Sequence, residues 1–138
     1  MMSGETDILK LLAGLDPKVD SQTYVFASLE KAETFIGLSP IMMFNEEEGV
    51  TGIIPLEKAE AAGIEFAFPC KKITLQIHSS LEAVGLIATI SEALEEEDVP
   101  ANVVSAFYHD HIFVPVDKVD DAMKAIGVLM GEKENPDT

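Results

Sequence analysis

The chain has 138 residues and a formal net charge of −16, because 25 acidic residues face only nine basic ones, all of them lysine. Basic clusters supply most of the affinity for nucleic acid and anionic membranes, so this composition argues against both partners, and the absence of arginine argues against arginine-dependent phosphate chemistry. The apolar fraction of 47% is nevertheless typical of a folded protein and not of a disordered one.

The sequence gives no sign of export or of membrane insertion. Its first residues are polar, and its most apolar stretch, residues 83–90, is far shorter than the roughly 20 residues that a membrane span requires. Cys70 is the only cysteine, which excludes an internal disulfide and a cysteine-rich metal site. We therefore expect a soluble protein of the cytoplasm.

The first half of the chain predicts a small α/β module. In chain order we expect a short helix at residues 7–14, strands at 23–29 and 50–55, a helix at 56–63 and a strand at 65–69. The long loop at 30–49 contains one further candidate strand, at 41–44. For Met42 and Met43 in that loop, we expect ordinary core packing in preference to contact with a partner.

The second half begins with a predicted strand and a predicted helix. Apolar and polar residues alternate over 73–78, which is the period of a strand with one buried face. Ser79 and Glu82 then have the spacing of a capping box, and apolar residues follow at intervals of three and four as far as Leu94. The acidic run 95–98, followed by a proline, ends this helix.

A hairpin and a last helix complete the second half. Strands are expected at 103–108 and 111–116, with His109 and Asp110 in or near the turn between them. The final helix is expected at 117–130 and is followed by a glycine suited to end it. The polar tail 132–138 is expected to be mobile.

The two halves share a short repeat. Residues 54–60 and 114–120 align at an offset of 60, and in each copy a strand end is followed by a proline, Pro55 or Pro115, and by a helix start. Up to residue 69 the chain has 12 acids and 4 lysines, and after it 13 acids and 5 lysines, so each half carries a charge of −8. These observations favour two related modules, at 1–69 and 70–131.

With these residues in view, the chain resembles the ACT domain family, specifically the small paired ACT proteins of bacteria related to the regulatory region of aspartate kinase. The similarity is strongest in the second half, through ITL at 73–75, SSLEAVGL at 79–86, NVV at 102–104 and YHDHIFVP at 108–115. In the first half it is looser and rests on YVF at 24–26, EGVT at 48–51 and IP at 54–55.

Element order and resemblance together imply an α+β fold with two tandem ferredoxin-like βαββαβ sandwiches, each an antiparallel sheet with helices on one face. Against that pattern, the first module lacks a leading strand and the second lacks a closing strand after Leu129. Because isolated sheet edges tend to find partners, we expect interlocked modules that share or exchange strands, within the chain or across a dimer.

The resemblance also implies a ligand site. In ACT domains a small ligand, usually an amino acid, binds where the first strand gives way to the first helix, often at an interface between two modules. Carried over by position, the site consists of the turn and of two residues assigned to the neighbouring strand: Ser79, Ser80, Leu81, Glu82, Ala83, Val84, Gly85, Leu86, Asn102 and Val103.

The chemistry of these residues suits a free amino acid. A helix N-terminus and a serine hydroxyl can bind its carboxylate, Glu82, Asn102 or a backbone carbonyl can meet its ammonium group, and Gly85 allows close approach of the backbone. Each residue also has a purely structural interpretation, as part of a capping box, as a turn residue or as a packing position. The residues alone do not decide between the two interpretations.

No metal or cofactor is expected. His109 and His111 flank a single residue and would converge on an ion only if the turn bent them together, and His78 is expected to be a partly exposed strand end. The acidic runs 46–48 and 95–98 lack the spacing of a calcium loop and are expected to be solvated faces.

We therefore expect a non-catalytic regulatory protein that binds an amino acid and forms a homo-oligomer such as a dimer. One alternative is a protein interaction module without a small ligand. A second is a small ferredoxin-like enzyme that hydrolyses acyl phosphates, which the lack of arginine, of a glycine-rich phosphate loop and of a nucleophile–histidine signature makes unfavourable.

Overall fold

A computed structural model describes residues 8–77 and 85–131. Helices and strands follow in the order α1 Ile8–Ala13, β1 Pro17–Val19, β2 Tyr24–Leu29, β3 Met42–Asn45, β4 Val50–Pro55, α2 Leu56–Ala62, β5 Ala67–Leu75, α3 Leu86–Glu96, β6 Asn102–Ser105, β7 Asp110–Pro115 and α4 Val119–Leu129. Short 3₁₀ helices occupy Ala32–Phe35 and Val116–Lys118. In the described part of the chain, no helix is long and apolar enough to cross a bilayer.

The chain divides into two compact units. The central unit is Asp20–Lys72, and the terminal unit combines Met1–Val19 with Ile73–Thr138. Strand β5 crosses the boundary, so its first residues belong to the central unit and Ile73 to Leu75 belong to the terminal one. The chain thus leaves the terminal unit after β1 and returns to it within β5.

The central unit is a complete βαββαβ module. Its strands lie in the order β3-β4-β2-β5 and its pairs are antiparallel, with Phe26 opposite Ile53 and Met43 opposite Gly52. The leading strand, which the sequence analysis expected to be missing, is β2. The 3₁₀ helix at Ala32–Phe35 takes the place of the first helix, and four residues are too few to give a recognisable helical period.

One face of this sheet carries the core of the central unit. Its buried members are Val25, Ala27, Phe35, Leu38, Val50, Ile54 and Ala59. Phe35 packs directly on the backbone of β4, because a Cβ atom placed on Gly52 would lie 2.4 Å from the Phe35 ring. A glycine in the middle of the strand therefore lets a very short helix cover the sheet.

The terminal unit has the same topology, with its closing strand supplied from the N-terminus. Its strands lie in the order β1-β5-β7-β6. Strand β1 runs antiparallel to β5, with Pro17 opposite Leu75 and Val19 opposite Ile73. The predicted α+β class with two interlocked ferredoxin-like modules is therefore confirmed, and the interlocking occurs within one chain.

The core of the terminal unit joins α1 to the helices of the second half. It contains Leu11, Leu15, Ile73, Leu75, Leu86, Ile90, Leu94, Val99, Ile112, Val114, Ala122, Ala125 and Ile126. The helix expected at residues 7–14 thus packs with residues 73–131, whereas the sequence analysis placed it in a module at 1–69.

Strand β5 is one strand where the sequence predicted two, at 65–69 and 73–78. Tyr24 pairs with Cys70 and Phe26 with Ala67, so the register shifts between the two pairs. Phe68 has a φ of 59°, which is the left-handed conformation of a bulged residue. The bulge allows Pro69 to remain inside the strand.

Two further boundaries differ from the prediction. The turn between β6 and β7 lies at residues 106–109, with the Ala106 N–H donating to the His109 carbonyl at 3.0 Å, so Asp110 already belongs to β7. The final helix begins as the 3₁₀ turn Val116–Lys118 before it continues as α4.

Candidate functional site

The predicted ligand-binding turn joins β5 to α3 in the terminal unit. Helix α3 begins at Leu86, later than the capping pair Ser79 and Glu82 predicts, and Gly85 precedes it with a φ of 88°. The Thr89 amide and hydroxyl both donate to the Gly85 carbonyl, at 2.9 and 2.8 Å. The start of α3 is thereby fixed in a conformation that favours glycine.

Six of the ten predicted ligand-binding residues lie outside the described residues: Ser79, Ser80, Leu81, Glu82, Ala83 and Val84. Of the other four, Gly85 is exposed and Leu86 is buried in the core. Leu86 could therefore contact a ligand at this turn only through its backbone. Because the first N–H groups of a helix have no partner within it, that backbone is a donor for an anionic group.

The sequence analysis expected Asn102 and Val103 on the strand next to β5, and that expectation is wrong. Strand β7 separates β6 from β5. Asn102 also follows the end of α3, whose 11 residues span about 16 Å at 1.5 Å per residue. Gly85 and Asn102 are therefore at opposite ends of this helix, and Val103 packs against the core.

Helix α1 flanks the turn, which the sequence analysis missed. Its first described residue, Ile8, has its Cδ1 atom 3.9 Å from the position that a Cβ on Gly85 would take. After the helix, a Cβ on Gly14 would lie 3.1 Å from Cδ1 of Ile77. Ile8 at the start of α1 and Gly14 just after its end thus lie close to the residues on either side of the segment 78–84. The apolar spacing of α1 could have indicated a buried helix, but not which module it packs against.

The corresponding turn of the central unit, after β2, is crowded by its own hairpin. A Cβ on Gly49 would lie 2.9 Å from the Ser28 hydroxyl oxygen and 3.1 Å from the Leu29 carbonyl oxygen. At Gly85, by contrast, the only heavy atom of the described residues within 4 Å is the Ile8 methyl carbon. Of the two equivalent turns, the one in the terminal unit is the less crowded by described residues.

A cleft of about 350 Å³ opens in the central unit where β4 gives way to α2. It is lined by Ser21, Gln22, Thr23, Pro55, Leu56, Glu57 and Glu60. It contains none of the predicted ligand-binding residues, and its ionisable side chains are acidic.

A cluster of hydrogen-bonded and charged groups in the central unit surrounds Asp20. Its carboxylate accepts hydrogen bonds from the Tyr24 hydroxyl at 2.8 Å and the backbone N–H of Gln22 at 2.9 Å, and lies 3.4 Å from the Lys72 ammonium group. Burial raises the pKa of Asp20, but these hydrogen bonds and the lysine charge outweigh it, so the pKa is lowered. The pKa of Tyr24 is raised to about 12 by burial and by its bond to Asp20.

Two possible reactive groups are held in structural roles. The Cys70 thiol is buried and donates to the Tyr24 carbonyl at 3.3 Å, and burial raises its pKa to about 12, so it stays protonated and weakly nucleophilic at neutral pH. His111 shares a hydrogen bond of 2.9 Å with the Thr74 hydroxyl. Within residues 8–77 and 85–131, no three His, Cys, Asp or Glu side chains are grouped to hold a metal ion.

Comparison with known proteins divides the chain in sequence order, so the first match also includes the α1 and β1 residues that the structure packs in the terminal unit. Residues 3–71 match one ACT domain family and residues 68–127 match a second ACT domain family. A Vibrio cholerae protein of unknown function, described as a possible transport protein, is 39% identical, with a TM-score of 0.81 over 88% of this chain and 94% of its own.

More distant structures share the fold. The regulatory subunit of aspartate kinase from Thermus flavus has a TM-score of 0.59 at 11% identity, over 82% of this chain and 95% of its own. The aspartate kinase of Clostridium acetobutylicum has a TM-score of 0.61 at 15% identity, over 85% of this chain but only 34% of its own.

Proposed function

This chain belongs to the ACT domain family, and we propose that it is a non-catalytic regulatory protein that binds an amino acid at the β5–α3 turn of its terminal unit. The observation that carries the proposal is that Gly85, immediately before the first N–H groups of α3, has a single atom of the described residues within 4 Å of where its Cβ would be. The relatedness to regulatory regions of aspartate kinase supports a role in control.

Binding would begin with the carboxylate of the amino acid. The N-terminal amides of an 11-residue helix and its dipole favour an anionic group, and the left-handed Gly85 leaves no side chain in the way. The proposal includes the predicted residues 79–84, of which Glu82 or a backbone carbonyl would meet the ammonium group. Asn102 and Val103 remain in it as residues of lesser weight, because they lie at the far end of α3.

The regulatory output would be a change of conformation or of association. A ligand shifts such an equilibrium only by its difference in affinity for the two states. Ile8 and Gly14, at the two ends of α1, lie close to the flanks of the turn, so a ligand bound there would change the surroundings of this helix. We place the protein in the cytoplasm as a homo-oligomer.

The alternative of an interaction module without a small ligand has support of its own. Several large apolar side chains are exposed in each unit. The enzymatic alternative has less support than the interaction module. Cys70 is buried and protonated, and the chain has no arginine to stabilise a phosphoryl group.

Thermal denaturation in the presence of each of the twenty amino acids tests the proposal. A ligand at 100 times its dissociation constant stabilises the folded state by about 2.7 kcal/mol, which corresponds to a rise of several degrees in Tm. No shift with any amino acid at millimolar concentration would contradict the proposal.

A pair of matched variants tests the site. Asparagine tolerates the left-handed conformation better than other side chains, so Gly85→Asn adds bulk at the turn with little strain. Gly63, which ends α2 with a φ of 67° and has open space around it, provides the control Gly63→Asn. We expect Gly85→Asn to abolish the ligand-induced shift and Gly63→Asn to preserve it; equal shifts in both variants would place the ligand elsewhere.

A further inference from the structure

A second cleft of the central unit, of about 450 Å³, combines an aromatic wall with an acidic group. It opens where β5 begins beside the end of β2, and the residues on which its chemistry depends are Phe26, Ser28, Thr51, Glu65 and Phe66. We call it the aromatic cleft. Its volume is in the range of small-molecule sites. It contains none of the residues proposed above to bind an amino acid.

The aromatic cleft lies on the face of the central sheet that is turned away from the core of this unit. Val25 belongs to that core, and successive side chains of a strand point to opposite faces, so Phe26 and Ser28 point outward. Thr51 pairs with Ser28 and shares its face. Because β5 begins opposite Phe26, residues 65–66 border the cleft and do not continue the sheet. The helices of the central unit therefore pack on the other side of the sheet from this cleft.

Two phenylalanine rings form the wall of the aromatic cleft. Phe66 is 38% exposed, and Phe26 is half-buried. The Phe68 ring packs edge-on against Phe26, with 5.8 Å between the ring centroids and an angle of 75° between the planes. Phe68 is the bulged residue of β5, and a bulge redirects the side chains of its strand. This contact holds the Phe26 ring in place, and the faces of such rings attract both apolar groups and cations.

The polar groups of the aromatic cleft are mainly hydrogen-bond acceptors. Glu65 is the one charged residue among the described residues that line it, and a carboxylate only accepts. The Thr51 hydroxyl donates its proton to the Glu46 carboxylate, so its oxygen can still accept a second hydrogen bond. The Ser28 hydroxyl can act in either sense. The cleft therefore suits a ligand that donates hydrogen bonds and carries a positive charge, which the net charge of −16 also attracts.

These groups favour an amine over an amino acid. An amino acid would bring its carboxylate as close to Glu65 and Glu46 as its ammonium group, because one carbon bears both groups. An amine without a carboxylate has no such repulsion. Its apolar body can lie against Phe66 and Phe26 while its ammonium group donates to Glu65 and to the Thr51 oxygen.

The acidic cleft of about 350 Å³ at the start of α2 provides a comparison within the same unit. Glu57 and Glu60 are among the described residues that line it, and none of these residues is aromatic. Its charge can attract a cation, but it offers no ring to the apolar part of an amine. The two clefts therefore allow the effect of negative charge to be separated from the effect of the aromatic wall.

We propose that the aromatic cleft binds a primary amine that has an aromatic or branched apolar body and no carboxylate group. This inference goes beyond the proposed function, because it concerns the other unit and another class of ligand. Neither proposal depends on the other.

Titration of the full chain with phenethylamine, followed by proton–nitrogen correlation spectra, tests the ligand class. Phenethyl alcohol and hydrocinnamate are matched ligands, because they join the same aromatic body to a neutral or an anionic end. We expect phenethylamine to give saturable shifts of the amides of residues 26–28 and 65–67, the alcohol to bind roughly fivefold more weakly, and hydrocinnamate to leave these amides unchanged. Equal affinity for the amine and the alcohol, or no saturable shift at about 10 mM amine, would overturn the proposal.

Variants test the site. Glu65→Gln removes the charge and keeps the shape, so it should weaken phenethylamine binding by roughly fivefold to tenfold. Phe66→Leu keeps an apolar side chain without the ring and should weaken binding by roughly threefold. Glu57→Gln, in the acidic cleft, makes the same change in net charge as Glu65→Gln and should leave the affinity unchanged.

Two results would contradict the site. Equal weakening by Glu65→Gln and Glu57→Gln would show that the amine responds to net charge alone. Amide shifts centred on residues 21–23 and 55–60 would place the amine in the acidic cleft. All three substituted residues are exposed, so we expect each variant to fold, and its correlation spectrum without ligand verifies this.

Discussion

Phe35 rests on Gly52 so closely that a single added methyl group would overlap its ring, at 2.4 Å. We expect Gly52→Ala to destabilise the protein by about 1–3 kcal/mol, the range for overpacking a core, even though alanine is otherwise better suited to a strand than glycine. Urea denaturation of Gly52→Ala, Phe35→Leu and the double variant measures the coupling. If the methyl group clashes with the ring, its cost falls in the Phe35→Leu background; strictly additive costs would contradict this packing.

The Asp20 cluster predicts a dependence of stability on acid. The pKa of Asp20 is lowered in the folded state, so this carboxylate contributes stability above its unfolded pKa of about 3.9, and the contribution is lost as the pH falls through the folded pKa. Asp20→Asn should therefore be less stable than the natural protein near neutral pH, and the two curves of Tm against pH should converge in strong acid. A constant difference across the acid range would show that the charge of Asp20 is not responsible.

We expect the Tyr24 hydroxyl to lose its proton at a higher pH than an ordinary tyrosine does. Burial, followed by the hydrogen bond to Asp20 and its charge, raises its pKa to about 12 from 10.0, so the stability that depends on the protonated hydroxyl is complete below pH 10 and is lost as the pH rises towards 12. In a Tyr108→Phe background Tyr24 is the only tyrosine, and absorbance at the tyrosinate band follows it alone. Adding Asp20→Asn should move this titration to lower pH; an unchanged midpoint would remove Asp20 from the explanation.

Leu15 tests the assignment of the N-terminal segment. It is completely buried in the core of the terminal unit, although it precedes the central unit in the chain. Leu15→Ala should cost about 2–5 kcal/mol and accelerate amide hydrogen exchange in α3 and β7. The matched variant Ile54→Ala, in the core of the central unit, should accelerate exchange in β2 and β4 instead. Acceleration by Leu15→Ala confined to β2 and β4 would contradict the division into units.

Local patterns predicted the elements, and long-range pairing decided how they combine. Strand β4 was predicted with its observed bounds because its pattern is local, and Pro55 marks its end. Strand β1 has three residues and pairs with residues of β5 more than fifty positions later, and no local pattern carries that information. The sequence therefore indicated that strands were missing, and the pairing of Val19 with Ile73 shows where the closing strand comes from.

The candidate site was predicted less completely than the fold. The resemblance located the turn, and the structure shows Gly85 at its end in a conformation suited to glycine. The placement of Asn102 beside the turn failed because β7 inserts between β5 and β6, as the ferredoxin-like order requires. The contact of Ile8 with the turn depends on the crossing of the chain between units and has no local signal.

The path of the chain also sets an order for its synthesis. Residues of α1 and β1 emerge from the ribosome before the central unit, but the partner of β1 among the described strands is the segment 73–75 of β5. The central unit, at Asp20–Lys72, is contiguous and can fold as soon as it has emerged. We therefore expect α1 and β1 to acquire their partners later than the central unit does, so Leu11 and Leu15 remain exposed on the nascent chain until the second half arrives.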